Sequence, residues 1–379
     1  MRVLYDHQIF TYQRFGGISR YFAELMKCYS SMDEIDYMLG VKESSNESLI
    51  NTGLTKQNAI KIPKKNDNLT RLSYRYLKNN LYSEKLIRGK EFDIFHPTFF
   101  FPGLIRKLNG KPFVVTIMDM IPELFPEMYP ENSFYSKHIT HKWIEGKKEL
   151  VERAEKVIAI SEKTKRDLVD IYKIDADKVK VVYLGNSLFP QDNSSSKLKF
   201  AEKYILFVGT RNDYKNFDLF IKASAQIMQE DKDLNIVCIG GGKFSDVEKT
   251  SLNSHGIATR VNQYNVTDAE LYYAYQNAQA FIFPSLYEGF GIPIIEAFVA
   301  ECPLILSKSS CFPEIAGDAA VYFDPKDENS MIASIKQVIY NPDLQAELRM
   351  KGSERAKLFT WEETARQTFD IYKSVLTKN

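Results

Sequence analysis

The sequence predicts an α/β protein built from two Rossmann-like domains, and three observations support this. Short apolar segments alternate with helical patterns, which is typical of parallel α/β architecture. The alternation begins with RVLYD at residues 2–6 and restarts with YILFVG at residues 204–209. The chain has 379 residues, which is more than one hydrophobic core usually organises, so two domains are expected.

The first predicted domain covers residues 1–187. An amphipathic helix is predicted at residues 17–30, and Ser161 is a suitable N-cap for a helix that runs to Tyr172. The predicted strands of this domain are residues 2–6, 36–41, 93–96, 113–117, 156–160 and 178–184.

A linker and a second domain follow. Residues 188–202 are polar and rich in Ser and Asn, which indicates a linker. The second domain is predicted at residues 203–359. Its predicted strands are residues 204–209, 235–242, 279–285, 303–307 and 320–325. The two domains are expected to face each other across a cleft.

The last segment, residues 360–379, is predicted to form one amphipathic helix. Thr360 and Glu363 have the spacing of a capping box at its start. Periodicity leaves two placements open: the helix packs on the second domain or crosses back to the first.

Composition indicates a globular protein, with 44% hydrophobic and 26% charged residues. The net charge of +1 argues neither for nor against a nucleic-acid partner. The four cysteines are far apart and form no CxxC pair, so we expect thiols in a reducing compartment. No signal peptide and no run of about 18 apolar residues is evident, so a cytoplasmic location is expected.

The stretch SLYEGFGIPIIEAF, residues 285–298, carries the strongest functional signal. In open α/β sheets, ligands bind where strands end and helix N-termini begin. Here a predicted strand ends, the chain turns through Gly289 and Gly291, and a helix begins near Ile292. Glu288 precedes the turn and Glu296 lies inside the helix. A first-turn acid that complements the helix dipole explains Glu296, but it explains neither Glu288 nor the glycines.

Three further stretches fall at strand ends. Gly16 and Gly17 open the first helix and suit an anion site, although an ordinary tight turn is the alternative. Arg211 and Lys215 lie between a strand and a helix, where such cations hold a diphosphate or are simply solvated. His96 ends a strand before a proline, a position where a structural histidine is the alternative.

Together these stretches resemble one family over nearly the whole chain. The sequence is similar to retaining glycosyltransferases of the GT-B fold, in the group-1 (family 4) class that uses nucleotide sugars. It is similar in particular to bacterial surface-polysaccharide mannosyltransferases. Glu288 and Glu296 match the family's E-x₇-E motif, residues 309–325 match the segment that follows it, and GGISRYF matches the N-terminal glycine loop.

The resemblance implies that residues 1–187 bind the acceptor and residues 203–359 bind the nucleotide sugar, and it also implies roles for individual residues. Glu288 would bind hydroxyl groups of the donor sugar, and Glu296 would bind the ribose of the nucleotide. Lys215, with Arg211, would neutralise the diphosphate. The expected donor-binding residues are Gly16, Gly17, Gly289, Phe290, Gly291 and, in the loop that holds the base, Tyr264 and Val266.

The sequence departs from the family pattern at two places. Arg211 lies one position later than the arginine of the family's G-R-x₄-K loop, although Lys215 keeps its spacing. Met118 replaces a histidine that commonly lies near the donor sugar, and Asp119 follows it. Either His96 or a backbone group takes over that contact, or the contact is absent.

No metal site is expected. The cations, the glycine amides and the helix start would stabilise the leaving group electrostatically. The one tight D-x-D, Asp175-Ala176-Asp177, lies in a predicted helix-to-strand turn, where aspartates commonly serve as caps. No cofactor is therefore expected beside the nucleotide-sugar substrate.

The expected partners are a nucleotide sugar and a glycan or lipid-linked acceptor, without nucleic acid. Residues 61–90 contain nine Lys or Arg against two acids, with Leu and Tyr interleaved. This pattern suits peripheral contact with an anionic membrane or a phosphorylated lipid acceptor, and a solvated helix is the alternative. The segment PTFFFPG, residues 97–103, either lines the acceptor groove or forms a buried turn.

The sequence raises three possible functions from different classes. The first is a glycosyltransferase that extends a lipid-linked glycan, with GDP-mannose as the favoured donor. The second is a non-catalytic sugar-nucleotide-binding or assembly protein, which the Met118 substitution would support. The third is a nicotinamide-dependent dehydrogenase, but no strand is followed directly by G-x-G-x-x-G with a downstream acid.

Overall fold

The structure, a computed structural model, describes residues 1–63, 69–128, 134–190, 198–211 and 213–377. The chain forms two compact units, one of residues 1–185 with 360–379 and the other of residues 186–359.

The first unit is built on parallel strands in two groups of three. One group has the order β2-β1-β3 and the other β4-β5-β6. An isolated parallel bridge between Phe95 and Phe113 joins β3 to the segment that leads into β4. The strands are β1 (Arg2–Tyr5), β2 (Asp36–Leu39), β3 (Ile94–His96), β4 (Val114–Ile117), β5 (Lys156–Ala159) and β6 (Val179–Val181).

Helices surround these strands. The predicted N-cap is confirmed, because the Ser161 hydroxyl accepts a hydrogen bond from the Thr164 N–H at the start of the eighth helix. The helices are α1 (Gln8–Tyr12), α2 (Gly17–Tyr29), α3 (Glu47–Asn51), α4 (Leu54–Gln57), α5 (Leu69–Gly89), α6 (Ile121–Leu124), α7 (Phe134–Arg153), α8 (Glu162–Tyr172) and, at the C-terminus, α16 (Trp361–Leu376).

The C-terminal helix α16 belongs to the first unit. The Tyr372 hydroxyl lies 2.9 Å from the Tyr5 hydroxyl, and Thr364 Oγ1 donates to the Tyr183 carbonyl at 2.8 Å. At its start the Thr360 side chain accepts from the Glu363 N–H, which is one of the two hydrogen bonds of the predicted capping box, and the Glu363 carboxylate accepts from Arg366 Nε at 2.8 Å. Helix α16 therefore packs on residues 1–185, which is one of the two placements that the sequence leaves open.

The second unit is a six-stranded parallel sheet of order β12-β11-β10-β7-β8-β9. Its strands are β7 (Tyr204–Val208), β8 (Asn235–Ile239), β9 (Val261–Tyr264), β10 (Ala280–Phe283), β11 (Leu304–Ser307) and β12 (Val321–Phe323). Its helices are α9 (Phe217–Glu230), α10 (Asp246–Ser254), α11 (Asp268–Asn277), α12 (Ile292–Val299), α13 (Phe312–Ala316), α14 (Glu328–Ile339) and α15 (Pro342–Ala356). Because β7 and β10 are neighbours, the loops that follow them lie side by side.

The predicted class, α/β with two Rossmann-like domains, is confirmed. Strand β9 was not predicted, because its sequence VNQY is polar and lies at the edge of the sheet. The predicted linker, residues 188–202, falls within the second unit, and residues 191–197 lie outside the described residues. The division between the units lies after residue 185, two positions before the predicted boundary at 187.

Burial explains why the apolar runs form strands. Strands β4, β10 and β11 are buried at every residue, as expected for parallel strands that are covered on both faces.

All four cysteines are free thiols. Within the described ranges, no helix combines the length and the apolar character that crossing a membrane requires.

Candidate functional site

The loop after β7 positions Lys215 at the carboxyl end of the second sheet. Gly209 follows the strand with a φ of 124°, a conformation that glycine adopts readily. Lys215 ends a 3-10 helix of residues Asp213–Lys215, and its side chain is largely buried. Asn216 is the N-cap of α9, and its side-chain Nδ2 donates to the Pro325 carbonyl at 2.8 Å. The loop is therefore fixed on both sides of the lysine.

The E-x₇-E stretch forms a turn and a helix start, as predicted. Gly291 is the N-cap of α12 with a φ of 85°, and a Cβ there would lie 3.0 Å from the side chain of Ile294. Both the backbone conformation and the close packing therefore favour glycine. Helix α12 begins at Ile292 with Pro293 in its first turn, where no backbone N–H is missed.

Lys215 and Glu288 form an ion pair between these two loops. Lys215 Nζ lies 2.5 Å from Glu288 Oε1, and the two side chains are 11% and 13% exposed. The Leu286 N–H also donates to the Tyr214 carbonyl at 2.7 Å, so backbone and side-chain contacts join the loops. The Lys215 ammonium lies 5.3 Å from the centre of the Phe283 ring. The structure thus joins one predicted cation to the first motif glutamate.

Serines after β11 hold the Glu288 loop, a feature that the sequence did not reveal. Ser310 Oγ accepts from the Glu288 N–H at 3.1 Å and donates to the Glu288 carbonyl at 2.7 Å. Ser309 Oγ donates to the Ser285 carbonyl at 3.1 Å. The segment SKSSC after a buried strand is the signal that could have indicated this support.

Glu296 lies on the buried side of α12. Its Oε2 accepts a hydrogen bond from the Tyr275 hydroxyl at 3.2 Å. Burial and the neighbouring carboxylate raise the pKa of Tyr275 well above its ordinary value, which keeps that hydroxyl protonated as a donor. The second motif glutamate is therefore oriented by a tyrosine of α11.

Arg211 is engaged with the loop after β8. Its guanidinium forms an ion pair with Glu248. It also donates to three backbone carbonyls, those of Gly240 at 3.1 Å, Gly242 at 3.0 Å and Lys243 at 3.2 Å. Burial raises the pKa of Glu248, but the hydrogen bonds from Arg211 and Ser245 and the charge of Arg211 together outweigh burial, so the net pKa is lowered. A phosphate contact by Arg211 would require some of these partners to be exchanged, so Arg211 organises the glycine loop in this structure.

Tyr264 and Val266 lie at the carboxyl end of β9. Both are half-buried. The Tyr264 carbonyl accepts from the Gly240 N–H at 3.2 Å, and its ring meets Phe200 edge-on at 5.2 Å. Phe290, in the turn before α12, is buried with its ring against Phe359 at 5.7 Å. The predicted base-binding and sugar-binding roles of these residues stay predictions.

In the first unit, Gly16 is the N-cap of α2 and Gly17 is its first residue. A Cβ on Gly16 would lie 2.6 Å from Gln13 Oε1, so the end of the flexible Gln13 side chain would have to move to admit one. Asp119 follows β4, and its Oδ1 accepts from the Ile121 N–H at 3.0 Å. Met118 beside it is buried.

His96 is completely buried, and both ring nitrogens are occupied. Nδ1 lies 2.6 Å from the Tyr372 hydroxyl, and Nε2 lies 3.0 Å from Thr116 Oγ1. Burial lowers the pKa of His96 to about 3, so the ring is neutral at physiological pH. The structure therefore gives His96 a structural role, because a donor contact would require one of these hydrogen bonds to break.

No metal cluster is evident among the described residues, where no three His, Cys, Asp or Glu side chains are arranged to hold an ion. Asp175 instead caps the 3-10 helix Ala176–Lys178, since its side chain accepts from the Asp177 N–H at 2.9 Å. The D-x-D sequence is thus used as a turn.

Two family models match the chain almost end to end. The model described as Glycosyltransferase Family 4 matches residues 15–187, and the model described as Glycosyl transferases group 1 matches residues 190–358. This chain belongs to the group 1, family 4 glycosyltransferases. The E-x₇-E stretch and the Lys215 loop of this glycosyltransferase lie in the group 1 region.

Two relatives carry mannosyltransferase names. The glycosyltransferase is 27% identical over 236 residues to O-antigen chain mannosyltransferase B of Escherichia coli, covering 59% of this chain and 62% of that protein. It is 32% identical over 194 residues to O-antigen chain mannosyltransferase RfbU of Salmonella typhimurium, covering 51% and 53%. The matches therefore span somewhat more than half of each of these relatives.

A solved structure supports the fold of the glycosyltransferase. The crystal structure of Anabaena HepE in complex with UDP-glucose matches with a TM-score of 0.68 at 17% identity, covering 99% of this chain and 100% of that one. At this identity the likeness establishes a shared fold, and the predicted GT-B class is confirmed.

Proposed function

We propose that this protein is a retaining glycosyltransferase that uses a nucleotide-diphosphate sugar, with GDP-mannose the favoured donor. The acceptor is a glycan or lipid-linked glycan of a bacterial surface polysaccharide. The observation that carries the proposal is the buried pair Lys215–Glu288 beside the start of α12. The mannosyltransferase names of two relatives support the choice of sugar, and the UDP-glucose complex of HepE supports a nucleotide sugar.

The proposed chemistry breaks the bond between the anomeric carbon and a diphosphate oxygen, and joins that carbon to an acceptor hydroxyl oxygen, whose proton is released to the diphosphate or to water. Negative charge grows on the departing diphosphate, so a fixed cation and the positive end of a helix stabilise the transition state. Lys215 supplies the cation and α12 the helix terminus. Glu288, which Lys215 and Ser310 hold in place, accepts hydrogen bonds from the sugar hydroxyls. Glu296 accepts hydrogen bonds from the ribose.

A donor panel tests this proposal. The protein is incubated with UDP-, GDP-, TDP- and ADP-sugars, and nucleotide release and melting temperature are measured with and without EDTA. We expect GDP-mannose to give turnover that EDTA leaves unchanged, and NMR of the product to show a retained anomeric configuration. GDP should raise the melting temperature, and the rise should grow with the logarithm of the GDP concentration once that concentration exceeds the Kd.

The outcomes separate the candidate functions. Absence of binding and of turnover with every donor would contradict the proposal. Binding without turnover, unaffected by Glu288→Ala, would favour the non-catalytic sugar-nucleotide-binding alternative, which Met118 in place of the family histidine supports. Loss of activity in EDTA that Mg²⁺ restores would contradict metal independence.

Peripheral membrane contact through α5 is part of the proposal. Tyr74, Leu77 and Leu81 are exposed at helical spacing on one face of α5, and Lys85 and Arg88 continue that face. The basic character of residues 61–90 is partly used within the unit, because Lys78 pairs with Glu43 at 2.9 Å. Buried Arg75 likewise donates to Ser45 Oγ at 3.0 Å, and residues 64–68 lie outside the described part.

Vesicle sedimentation tests the membrane contact. The protein should sediment with phosphatidylglycerol vesicles more than with phosphatidylcholine vesicles, and Leu77→Glu with Leu81→Glu should abolish the difference. Val247→Glu, at an exposed apolar position of the second unit, is the matched control and should sediment like the parent. Equal sedimentation of the α5 variant and the parent would contradict the contact.

A further inference from the structure

Strand β8 of the second unit is followed by residues 240–243, which are three glycines and a lysine and are here called the triple-glycine loop. The three glycines have φ angles of 84°, 70° and 73°, in the left-handed region that favours glycine. The Arg211 guanidinium donates to all four carbonyls of the loop, at 3.1, 3.4, 3.0 and 3.2 Å in chain order. A single arginine side chain therefore holds this loop.

Arg211 is itself fixed by its surroundings. Its guanidinium lies 5.7 Å from the centre of the Phe217 ring and 4.7 Å from that of Phe244. Its ion-pair partner Glu248 is held in turn, because the Glu248 Oε2 accepts from the Ser245 N–H at 2.6 Å in the capping box of α10. The Arg211 side chain is only 4% exposed, so it has little freedom to turn towards a ligand.

A diphosphate would have to compete with these partners of Arg211. If the guanidinium moved to a phosphate, Glu248 would lose its cation while only 17% of its side chain is exposed. Leaving a largely buried charge without its partner is strongly destabilising. The carbonyls of the triple-glycine loop would also lose their donor. The contacts of Arg211 therefore serve the loop, and the proposed diphosphate contact is left to Lys215.

The triple-glycine loop in turn holds residues 264–266, here called the β9 end. The Gly240 N–H donates to the Tyr264 carbonyl at 3.2 Å. Gln263 Nε2 donates to the same carbonyl at 2.8 Å and to Asn265 Oδ1 at 3.1 Å. All three residues of the β9 end are at least partly exposed, so a ligand can reach them. Hydrogen bonds thus connect buried Arg211 to an accessible segment.

The strand order indicates which part of a donor would meet the β9 end. Glu288, the proposed sugar contact, follows β10, and Lys215, the proposed diphosphate contact, follows β7. The sheet continues in the order β10-β7-β8-β9, so the β9 end lies two strands beyond Lys215, roughly 10 Å along the edge. Glu296, the proposed ribose contact, meets Tyr275 of α11, the helix that follows β9. A donor along this edge therefore has its nucleobase beside β8 and β9.

We propose that Arg211 is a positioning residue that sets which nucleobase the protein accepts, acting through the triple-glycine loop and the β9 end. This inference rests on the proposed function. Nucleobases differ in the hydrogen-bond donors and acceptors on their edges, so a protein distinguishes them with polar groups held at fixed positions. Loss of the Arg211 fork frees four carbonyls and, through Gly240, the Tyr264 carbonyl. Base discrimination then weakens, while the diphosphate contact at Lys215 remains.

Calorimetric titrations test the proposal, because the base and the phosphates of a nucleotide can be varied separately. GDP, UDP and GMP are titrated into the parent, Arg211→Met and Lys215→Met. In Arg211→Met we expect the preference between GDP and UDP to fall by about tenfold, the size expected for one lost hydrogen bond. The ratio of GDP to GMP affinity should stay unchanged. Lys215→Met should show the reverse, because it removes the cation beside the diphosphate.

Two further variants separate the shape of Arg211 from its charge. Arg211→Lys keeps a positive charge, but an ammonium lacks the planar fork that reaches Glu248 and the loop carbonyls, so base preference should fall as in Arg211→Met. Gly241→Ala keeps Arg211, but the added Cβ would lie 2.6 Å from Arg211 Nη1 and should displace the guanidinium. The same fall is expected there, which keeps the test available if Arg211→Met does not fold. Parent-like base preference in Arg211→Lys would overturn the proposal.

Arg260 supplies a matched control. Its guanidinium also donates to four backbone carbonyls, at 2.9 to 3.3 Å, in the turn between α9 and β8. Arg260 lies directly before β9, so it is at the opposite end of the sheet from the β9 end. Arg260→Met should lower the melting temperature about as much as Arg211→Met and leave base preference unchanged.

The remaining outcomes separate the role of Arg211 from the proposed function. Equal losses of affinity for GDP, UDP and GMP in Arg211→Met, or a fall in the GDP to GMP ratio with base preference unchanged, would overturn the proposal. A parent that binds GDP and UDP equally would overturn it as well. If the parent transfers sugar in the donor panel, these outcomes overturn the role of Arg211 alone, whereas a parent that binds no nucleotide would overturn both.

Discussion

Each unit of the glycosyltransferase contains a lysine–glutamate pair whose two side chains are both largely buried, and these two pairs differ in their surroundings. In the first unit Lys147 Nζ lies 3.0 Å from Glu123 Oε2, and the side chains are only 2% and 4% exposed. In the second unit Lys215 Nζ lies 2.5 Å from Glu288 Oε1, and the side chains are 11% and 13% exposed. Sequence motifs singled out both residues of the second pair, although not their contact with each other, and gave no sign of the first pair.

The difference lies in how many further partners each pair has. Lys147 Nζ also donates to the Asp119 carbonyl at 3.1 Å, and the Tyr172 hydroxyl donates to Glu123 Oε1 at 2.5 Å. These bonds tie α7 and α8 to the loop after β4. The second pair borders solvent beside a helix start, so its partners can be exchanged for a ligand. Burial with complete pairing thus indicates a structural pair, whereas partial exposure at a helix start is what the proposed binding role of Lys215 and Glu288 requires.

Replacement of Lys147 is the strongest test of this comparison. Lys147→Met leaves Glu123 buried without its cation, so we expect the free energy of unfolding to fall by about 3 to 5 kcal/mol. Urea denaturation followed by circular dichroism measures the loss. Lys148→Met, at an exposed neighbouring position, is the control and should change stability little. A loss below about 1 kcal/mol for Lys147→Met would mean that this pair is not structural.

Replacement of Lys215 should have the opposite profile. Lys215→Met removes the cation beside the proposed diphosphate, so we expect turnover to fall by about 100- to 1000-fold. The stability loss should be smaller than for Lys147→Met, because Glu288 can turn towards water. Steady-state kinetics and urea denaturation are compared with Lys222→Met, an exposed position on α9. Equal turnover in the two variants would contradict the assignment of Lys215.

The two pairs also show what sequence can predict. Strand positions followed from apolar runs, and the turn at Gly291 followed from glycine spacing, because both depend on local chemistry. Lys147 and Glu123 are separated by 24 positions, and nothing local distinguishes this lysine from the exposed Lys148 beside it. Only the packing of α7 against the loop after β4 selects one of them for burial.

The same reason explains the residues whose surroundings the sequence did not reveal. Arg211 appeared as a phosphate ligand, but folding brings the carbonyls of Gly240 to Lys243 and Glu248 around its guanidinium. His96 appeared at a strand end, yet α16 returns from the C-terminus and covers it with Tyr372. Contacts between segments 29 to 276 positions apart decide both cases, and no local pattern encodes them.

The pH dependence of stability sharpens the contrast between a buried interior and an exchangeable site. The folded pKa of His96 is about 3 against 6.5 for the free side chain, so between these values the unfolded state binds more protons. Stability is therefore lost as pH falls below 6.5, by about 2 kcal/mol between pH 6.5 and 5. Denaturation of the parent and of His96→Asn at both pH values measures this difference.

Asp6 and His7 also titrate in this range, but both are present in the parent and in His96→Asn. Burial raises the pKa of Asp6 to about 6, so its contribution has the opposite sign, and burial lowers the pKa of His7 to about 4. Their effects cancel when the two pH profiles are subtracted. Identical pH slopes for the parent and the variant would contradict the assignment of a neutral, buried His96.

The two motif glutamates allow a finer comparison within the second unit. Glu296→Gln should weaken nucleotide binding by about tenfold, or ~1.4 kcal/mol, because the proposed ribose contact loses its charge. Glu288→Gln should impair transfer more than nucleotide binding, because its proposed partner is the sugar. Calorimetric titration with GDP and turnover of GDP-mannose separate the two effects. The reverse pattern would mean that the roles of the two glutamates are exchanged.

The smallest effect is expected at Tyr275, whose hydroxyl orients Glu296 as Tyr172 orients Glu123. Tyr275→Phe removes one hydrogen bond and leaves the ring packed against Phe281, so stability should fall by about 0.5 to 1.5 kcal/mol. GDP affinity should fall less than in Glu296→Gln, because the carboxylate keeps its charge. Tyr172→Phe is the matched change in the first unit and should leave GDP affinity unchanged. A loss of affinity for Tyr275→Phe as large as for Glu296→Gln would make the orientation of Glu296, and not its charge, the decisive property.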